Sequence, residues 1–352
     1  MKIKQVVTIL LIALLIPIIA NSLTNKQSID LQEPRFGTYT SDEYSYLKTF
    51  YLMKNGKNYY QAFKEANEGI AAGRTMTDSV FTWRWPTLFY FWQLLAKNGQ
   101  SILALFWIMT CLSLLSTYYM LKKIMSPKYA LIGPIILMPY FAANLLYKTS
   151  FLFTEWWAWF FYIYGLSLLI NDKKLPAWIF LLLSLITREL MIIPITTLAI
   201  LSLFNKKNTK LLISLFPIFM LLFFLHRQNV INAITLKSTI DLINDANTRL
   251  HTFNKQILLK MISFSMNYYP LINIKSHFML VILSLIALIK NLISKNKSTL
   301  ALFILIPGWI TLLIFPFINT NQYVDYWGIL FMSNILISTA LLFNHSNSPV
   351  IK

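Results

Sequence analysis

From residue 101 to residue 343 the chain is a succession of apolar runs, at 101–121, 129–146, 152–170, 176–204, 209–225, 277–293, 299–318 and 327–343. A helix that crosses ~30 Å of hydrocarbon needs about 20 mostly apolar residues. Without water, each backbone N–H and C=O must be satisfied inside the segment, so runs of this length and frequency leave transmembrane helices as the fold class. Composition agrees. Charged residues make up 12% of the chain, against the about 25% that soluble domains use to cover their surface. Aromatic residues, at 15%, are too abundant for a disordered chain.

A further run lies at about Val6 to Leu23, behind Lys2 and Lys4. Its layout also suits a signal peptide, but no A-x-A-type site follows it, which favours an uncleaved anchor. The 176–204 run is too long for one ordinary span and is broken by Thr187-Arg188-Glu189. A charged pair at mid-membrane depth is costly, so this run reads as a tight hairpin with Arg188 and Glu189 at its tip. The expectation is an all-α polytopic membrane protein of about ten transmembrane helices, within a range of eight to eleven. It forms a single membrane domain over residues 1–352. Two long extracytoplasmic loops, 24–100 and 226–276, interrupt the spans, and the first carries short interfacial helices.

The formal charge of +18 fits this topology. The segments assigned to the inner side hold 14 basic residues against one acid, Asp172. Lys and Arg collect in short cytoplasmic loops, so the excess marks orientation in a plasma membrane, with both termini cytoplasmic, and not nucleic-acid binding. The other side holds 17 basic and 12 of the 13 acidic residues. No Walker A, strand-linked G-x-G-x-x-G, H-E-x-x-H or G-x-S-x-G motif is present. Cys111 is the only cysteine, and His226, His251, His277 and His345 lack metal-ligand spacing. The sequence therefore indicates no metal or other cofactor.

Candidate chemistry sits in the outer segments. Ser41 is a suitable helix N-cap, Asp42 and Glu43 occupy the first turn, Tyr44, Leu47 and Tyr51 follow at helical spacing, and Gly56 is a stop. Asp42 and Glu43 either begin a helix, where the dipole favours negative charge, or accept a proton from an acceptor hydroxyl. Tyr44, Tyr46, Phe50, Tyr51, Tyr59 and Tyr60 suit a helix lying along the membrane surface. Trp83, Trp85 and Trp92 suit interfacial anchors, and Pro86 opens a second aromatic helix. Arg84 stacks on the neighbouring rings or meets a lipid phosphate. Glu155 stands at the outer start of a span. Arg188 and Glu189 pair with each other, or Arg188 faces a lipid phosphate, a role open also to Lys148, Arg227, Arg249 and Lys275. Asp325 reads as a loop residue.

Together these features resemble the GT-C superfamily of integral-membrane glycosyltransferases. The resemblance lies in the N-terminal anchor, the large first outer loop with Asp42-Glu43-Tyr44-Ser45-Tyr46, then Gly56 with Tyr59-Tyr60, and Arg84-Trp85-Pro86 before an aromatic helix. It continues through the span containing Glu155 and the Thr187-Arg188-Glu189 tip, and beyond about residue 210 it is topological only. It implies a GT-C-like fold and transfer of a sugar from a polyprenyl-phosphate donor to a glycan, lipid or protein acceptor on the outer face. It also implies Asp42 as base with Glu43 beside it. Divalent ions serve only some branches of the family, and no second acidic position in another outer loop is evident. The lipid-phosphate leaving group explains why no nucleotide-binding loop is needed. Residues assigned to substrate or lipid phosphate are Arg84, Lys148, Glu155, Arg188, Glu189 and Arg227. The alternatives are a polysaccharide polymerase or ligase, whose largest outer loop usually comes late, and a lipid-linked-oligosaccharide flippase or transporter, for which inverted repeats would be expected.

Overall fold

A computed structural model describes residues 42–67, 83–146, 150–206, 208–233, 253–263, 274–294, 298–318 and 325–343. The run at Val6–Leu23, the cap residue Ser41, Lys148 and Arg249 lie outside the described residues. Among those described, the regular elements are helices, with no β-strand.

Three short helices precede the bundle: α1 (Asp42–Lys54), α2 (Tyr59–Asn67) and α3 (Pro86–Leu95). Asp42 and Glu43 in the first turn of α1 and Lys54 in the last complement its dipole. Gly56 ends it at φ +92°, a conformation open to glycine without penalty. Asn58 Oδ1 accepts from the Gln61 N–H at 3.0 Å and starts α2, and Pro86 stands in the first turn of α3.

The bundle follows as α4 (Gly99–Lys122), α5 (Pro127–Ala130), α6 (Ile132–Leu146), α7 (Thr154–Ile170), α8 (Lys174–Leu185), α9 (Ile192–Asn205), α10 (Thr209–Ile213) and α11 (Leu215–Ala233). It continues through α12 (Lys255–Ser263), α13 (Ile274–Ile293), α14 (Thr299–Ile314) and α15 (Ile329–Ser338). Helix α7 is the centre: Thr154 to Ser167 are all buried, and α4, α8 and α15 pack around it. The tightest approach is at Gly165, where a Cβ would lie 2.7 Å from Leu181 Cγ and 3.0 Å from the Leu181 nitrogen.

Among the described residues, four helices are long and apolar enough to cross a membrane: Gly99–Lys122, Thr209–Ala233, Ile274–Ile293 and Thr299–Phe317. Three shorter apolar helices, Lys174–Leu185, Glu189–Phe204 and Ile329–Phe343, accompany them. The chain is a helical membrane protein on these grounds. The apolar run at 209–225 continues as helix to Ala233.

The long run 176–204 does break at its charged centre. Helix α8 ends at Leu185, Arg188 is extended (φ −148°, ψ 112°), and a 3₁₀ turn at Glu189–Met191 leads into α9. The chain then returns, because Trp178 Nε1, near the start of α8, donates to Ser214 Oγ just after α10 at 3.1 Å. The hairpin is not tight, however: α8 lies against α7, whereas α9 lies against α14.

Side-chain contacts place charge at two ends of the bundle. Helices α4 and α7 run parallel, with the Tyr164 hydroxyl donating to the Met109 carbonyl and Ser167 Oγ to the Ser116 carbonyl. Lys122, Lys123, Lys173 and Lys174 therefore share one end. Lys206 and Lys210 join them through the Trp178–Ser214 contact, and Lys128 and Lys290 through Tyr129 stacked on Phe343 and Lys290 Nζ bonded to the Leu342 carbonyl. The opposite end carries α1 to α3, tied to the start of α4 by the Gly99 N–H donating to the Tyr51 hydroxyl at 3.1 Å.

One expectation is corrected. Tyr46, Phe50, Tyr59, Trp83, Trp85 and Trp92 are buried and not displayed as interfacial anchors. Tyr46, Tyr59, Trp83 and Trp92 pack edge-to-face or tilted on Phe63 and Phe89, Phe50 packs on Tyr51, and Trp85 packs on Phe219, Phe223 and His226 of α11. Rings have enough apolar area to form a core between short helices, and here that core removes them from the lipid-facing role. Tyr90, Leu94 and Leu95 of α3 are the exposed apolar residues instead.

Candidate functional site

The start of α7 and the tip after α8 meet because α7 and α8 are antiparallel neighbours joined by a turn at Asn171–Lys173. Glu155, in the first turn of α7, thereby faces Arg188, 33 residues on. Glu155 Oε1 lies 2.7 Å from Arg188 Nε, and Arg188 Nη1 lies 2.8 Å from Glu189 Oε1. The side chains of Glu155, Arg188 and Glu189 are 0%, 2% and 29% exposed. The Nε–H is not aimed at Glu155, so this contact is one of charge more than a well-formed hydrogen bond. Thr154 Oγ1 donates to the other Glu155 oxygen at 3.1 Å. The Arg188 guanidinium also sits 5.5 Å from the centre of the Trp327 ring.

Two carboxylates and one guanidinium carry a formal charge of −1. Burying it is tolerable only because each charge has a partner. Five buried polar atoms of these residues and their neighbours lack a hydrogen-bond partner among the described residues: Glu155 Oε1, Thr187 Oγ1, Arg188 Nε, Glu189 Oε2 and Trp327 Nε1, of which Glu155 Oε1 and Arg188 Nε face each other as an ion pair. Each such atom costs about 1–3 kcal/mol when left unpaired.

The loop helices cap this cluster with polar aromatic groups. The Tyr59 hydroxyl donates to the Arg84 carbonyl, and Arg84 Nε donates to the Tyr46 hydroxyl at 2.8 Å. Tyr60 shares a hydrogen bond with His226 Nδ1 of α11 at 3.1 Å, and Trp85 stacks on the same imidazole with ring centres 4.8 Å apart. The Glu189 charge reaches both Tyr59 and His226. Burial holds the Tyr59 phenol well above its usual range, with Tyr60 and Glu189 adding to the effect. Burial likewise pushes the Tyr60 phenol up to about 12.

Of the residues expected from sequence, Glu155, Arg188 and Glu189 come together. Arg188 is engaged by two carboxylates, which is the pairing at the tip and not an open phosphate contact. Arg84 is buried beside Tyr46. Asp42 and Glu43 open α1 half-buried, and the Asp42 carbonyl accepts from Ser45 Oγ at 2.8 Å. Arg227 is half-buried with its guanidinium 5.5 Å from the Phe223 ring centre. Asp325 begins a 3₁₀ turn, Asp325–Gly328. Among the described residues no group of three His, Cys, Asp or Glu side chains converges as metal ligands would. Metal spacing alone does not single out His226, which directly follows the apolar run 209–225. Trp327 had no such signal, because its partner lies far away in sequence.

The chain matches no protein-family model, no curated protein and no solved structure.

Proposed function

We propose that the protein is a plasma-membrane glycosyltransferase with a GT-C-like arrangement of about ten spans. It moves a sugar from a polyprenyl-phosphate donor to a cell-surface glycan, lipid or protein acceptor on the extracytoplasmic side. The observation that carries this reading is the buried Glu155–Arg188–Glu189 cluster near the loop helices, at the end of the bundle opposite Lys122, Lys123, Lys173 and Lys174. Helix α8 has 12 residues, about 18 Å at 1.5 Å per residue, and starts at Lys173–Lys174. The tip it reaches thus stands short of the far side of a ~30 Å apolar layer. Charges at that depth are functional candidates by default.

In the proposed reaction an acceptor oxygen attacks the anomeric carbon while the bond from that carbon to the phosphate oxygen breaks. The acceptor proton passes to a carboxylate, for which Asp42 is our choice with Glu43 adjacent, and the polyprenyl phosphate leaves. Arg84 and Arg227 are the described cations we assign to the departing phosphate. The lipid-phosphate leaving group makes a nucleotide unnecessary, and membrane lipids are the surrounding solvent.

The test uses membranes containing the full chain and a panel of polyprenyl-phosphate monosaccharides, with release of free polyprenyl phosphate as readout. The Asp42→Asn protein, shown to be folded, should lose about 10²–10⁴-fold, the range for removing a general base. Full activity in that variant would remove Asp42 from the mechanism.

A further inference from the structure

Trp178 Nε1 donates to Ser214 Oγ at 3.1 Å, which joins α8 to the end of α10. Both segments run from there towards the loop helices, α8 to the Arg188 tip and the membrane-length stretch Thr209–Ala233 to His226, which bonds Tyr60. Lys174 lies one turn before Trp178 and Lys210 one turn before Ser214, each about 5.4 Å along its axis and on the same face. The two lysines therefore stand in register on adjoining helices. Cβ atoms tilt towards a helix N-terminus, so both side chains lean away from the apolar layer. Lys206 joins them from the end of α9, where Thr209 Oγ1 closes the turn by donating to the Ser202 carbonyl at 2.8 Å. All three are exposed, and among the described residues no ion pair joins any of them to an acid. Orientation is served by lysines anywhere in the short inner turns. It does not require Lys174 in the first turn of α8, where the helix dipole disfavours a cation.

The surface next to these cations, on the membrane side, is apolar. Ile218, Leu221 and Leu225 continue the stripe of Lys210 and Ser214 at helical spacing, and all three are exposed. Trp178, half-buried with its Nε1–H on Ser214, suits the depth of the membrane–water interface. The geometry points to Lys174 and Lys210, flanked by Lys206, as a binding site for the headgroup phosphate of an anionic phospholipid in the inner leaflet, with an acyl chain along Ile218, Leu221 and Leu225. A free phosphate uses the charges and leaves the stripe uncovered. A zwitterionic lipid covers the stripe but brings an ammonium group of its own to a cluster that is already cationic. This site lies at the end of the bundle opposite the Glu155–Arg188–Glu189 cluster and does not depend on the chemistry proposed there.

The experiment acylates the lysines of the full-length protein, in a neutral detergent, with a water-soluble N-hydroxysuccinimide ester and reads each site by peptide mass spectrometry. Phosphatidylglycerol at half-saturation should slow modification of Lys174 and Lys210 about twofold. Lys128, exposed at the same end of the bundle, should react as before. Phosphatidylcholine and inorganic phosphate should protect neither lysine of the pair. In native mass spectrometry of the phosphatidylglycerol complex, Lys174→Gln and Lys210→Gln should each weaken binding about fivefold, the worth of one lysine at an anionic surface. Lys128→Gln should leave it unchanged. Equal protection by phosphatidylcholine overturns the inference, because the lysines would then contribute nothing. Equal protection by inorganic phosphate removes the lipid from it. Equal slowing at Lys128, or an equal loss in Lys128→Gln, shows a diffuse field in place of a site and overturns it too. So does reaction of Lys174 and Lys210 at an unchanged rate in saturating phosphatidylglycerol.

Discussion

Removing Arg188 should damage the protein far more than removing the acid it pairs with, although both belong to one contact. Glu155 and Arg188 stand 2.7 Å apart, which at an effective dielectric of 20 is an attraction of about 6 kcal/mol. Desolvation offsets most of that, so the consequences depend on what each substitution leaves behind. Arg188→Met leaves Glu155 fully buried with only Thr154 as partner, at a cost of about 3–5 kcal/mol. Glu155→Gln leaves Arg188 still paired with Glu189 at 2.8 Å and lowers the buried charge, so about 1–2 kcal/mol is expected, on the scale of one hydrogen bond to a charged group. The double variant removes the fully buried orphaned acid and leaves only Glu189, 29% exposed and so within reach of water, without its partner; it should fall near Glu155→Gln alone, not at the sum of the two. The assay is thermal unfolding of the four proteins in one detergent, read by tryptophan fluorescence at a fixed scan rate because unfolding of such proteins is often irreversible. The expected Tm order is wild type first, then Glu155→Gln with the double variant, and Arg188→Met last. Additive losses, or an Arg188→Met protein no worse than Glu155→Gln, would refute the buried-pair reasoning.

Other outcomes follow from local features. Gly165→Ala places a methyl 2.7 Å from Leu181 Cγ between the two best-packed helices, and should cost about 1–3 kcal/mol, seen as early loss of the monodisperse peak on heating. The Lys57–Glu65 ion pair is 40% and 44% exposed, so Lys57→Ala should change Tm negligibly, as surface pairs are worth about 0–1 kcal/mol. Tyr60 has its phenol raised to about 12 by burial. The folded state thus keeps a proton that the unfolded chain releases near the ordinary phenol value of 10.0, and this contribution to stability, whole below that point, is lost as pH rises towards 12. A Tyr60→Phe protein should lack that component in an alkaline difference titration, and a component centred near the ordinary phenol value would contradict its burial. With Cys111→Ser as background, Lys57→Cys should react with an impermeant maleimide on intact cells and Lys174→Cys only after permeabilisation; the reverse pattern would invert the topology.

Much of the local structure was legible because it is written in neighbouring residues. The acidic first turn and Gly56 bound α1, Pro86 opens α3, and the charged triplet at 187–189 breaks a run that is apolar on both sides. The cluster itself was half legible. An acid in a span and an Arg-Glu tip mark themselves as costly, but nothing in their spacing says that Glu155 and Arg188 meet, since that depends on the antiparallel packing of α7 on α8. The aromatic loop was misread for a related reason. Rings suited to a membrane interface suit a protein core equally well, and only the mutual packing of α1, α2 and α3 decides between the two.

The most direct measurement is sugar transfer by the purified full chain in sealed proteoliposomes supplied with polyprenyl-phosphate monosaccharides and a membrane-glycan extract. Release of one polyprenyl phosphate for each sugar transferred, only when the loop-helix end faces the acceptor, is the result expected. Movement of the intact lipid-linked sugar across the bilayer, with no release of polyprenyl phosphate from any donor in the panel, would contradict it and identify a transporter.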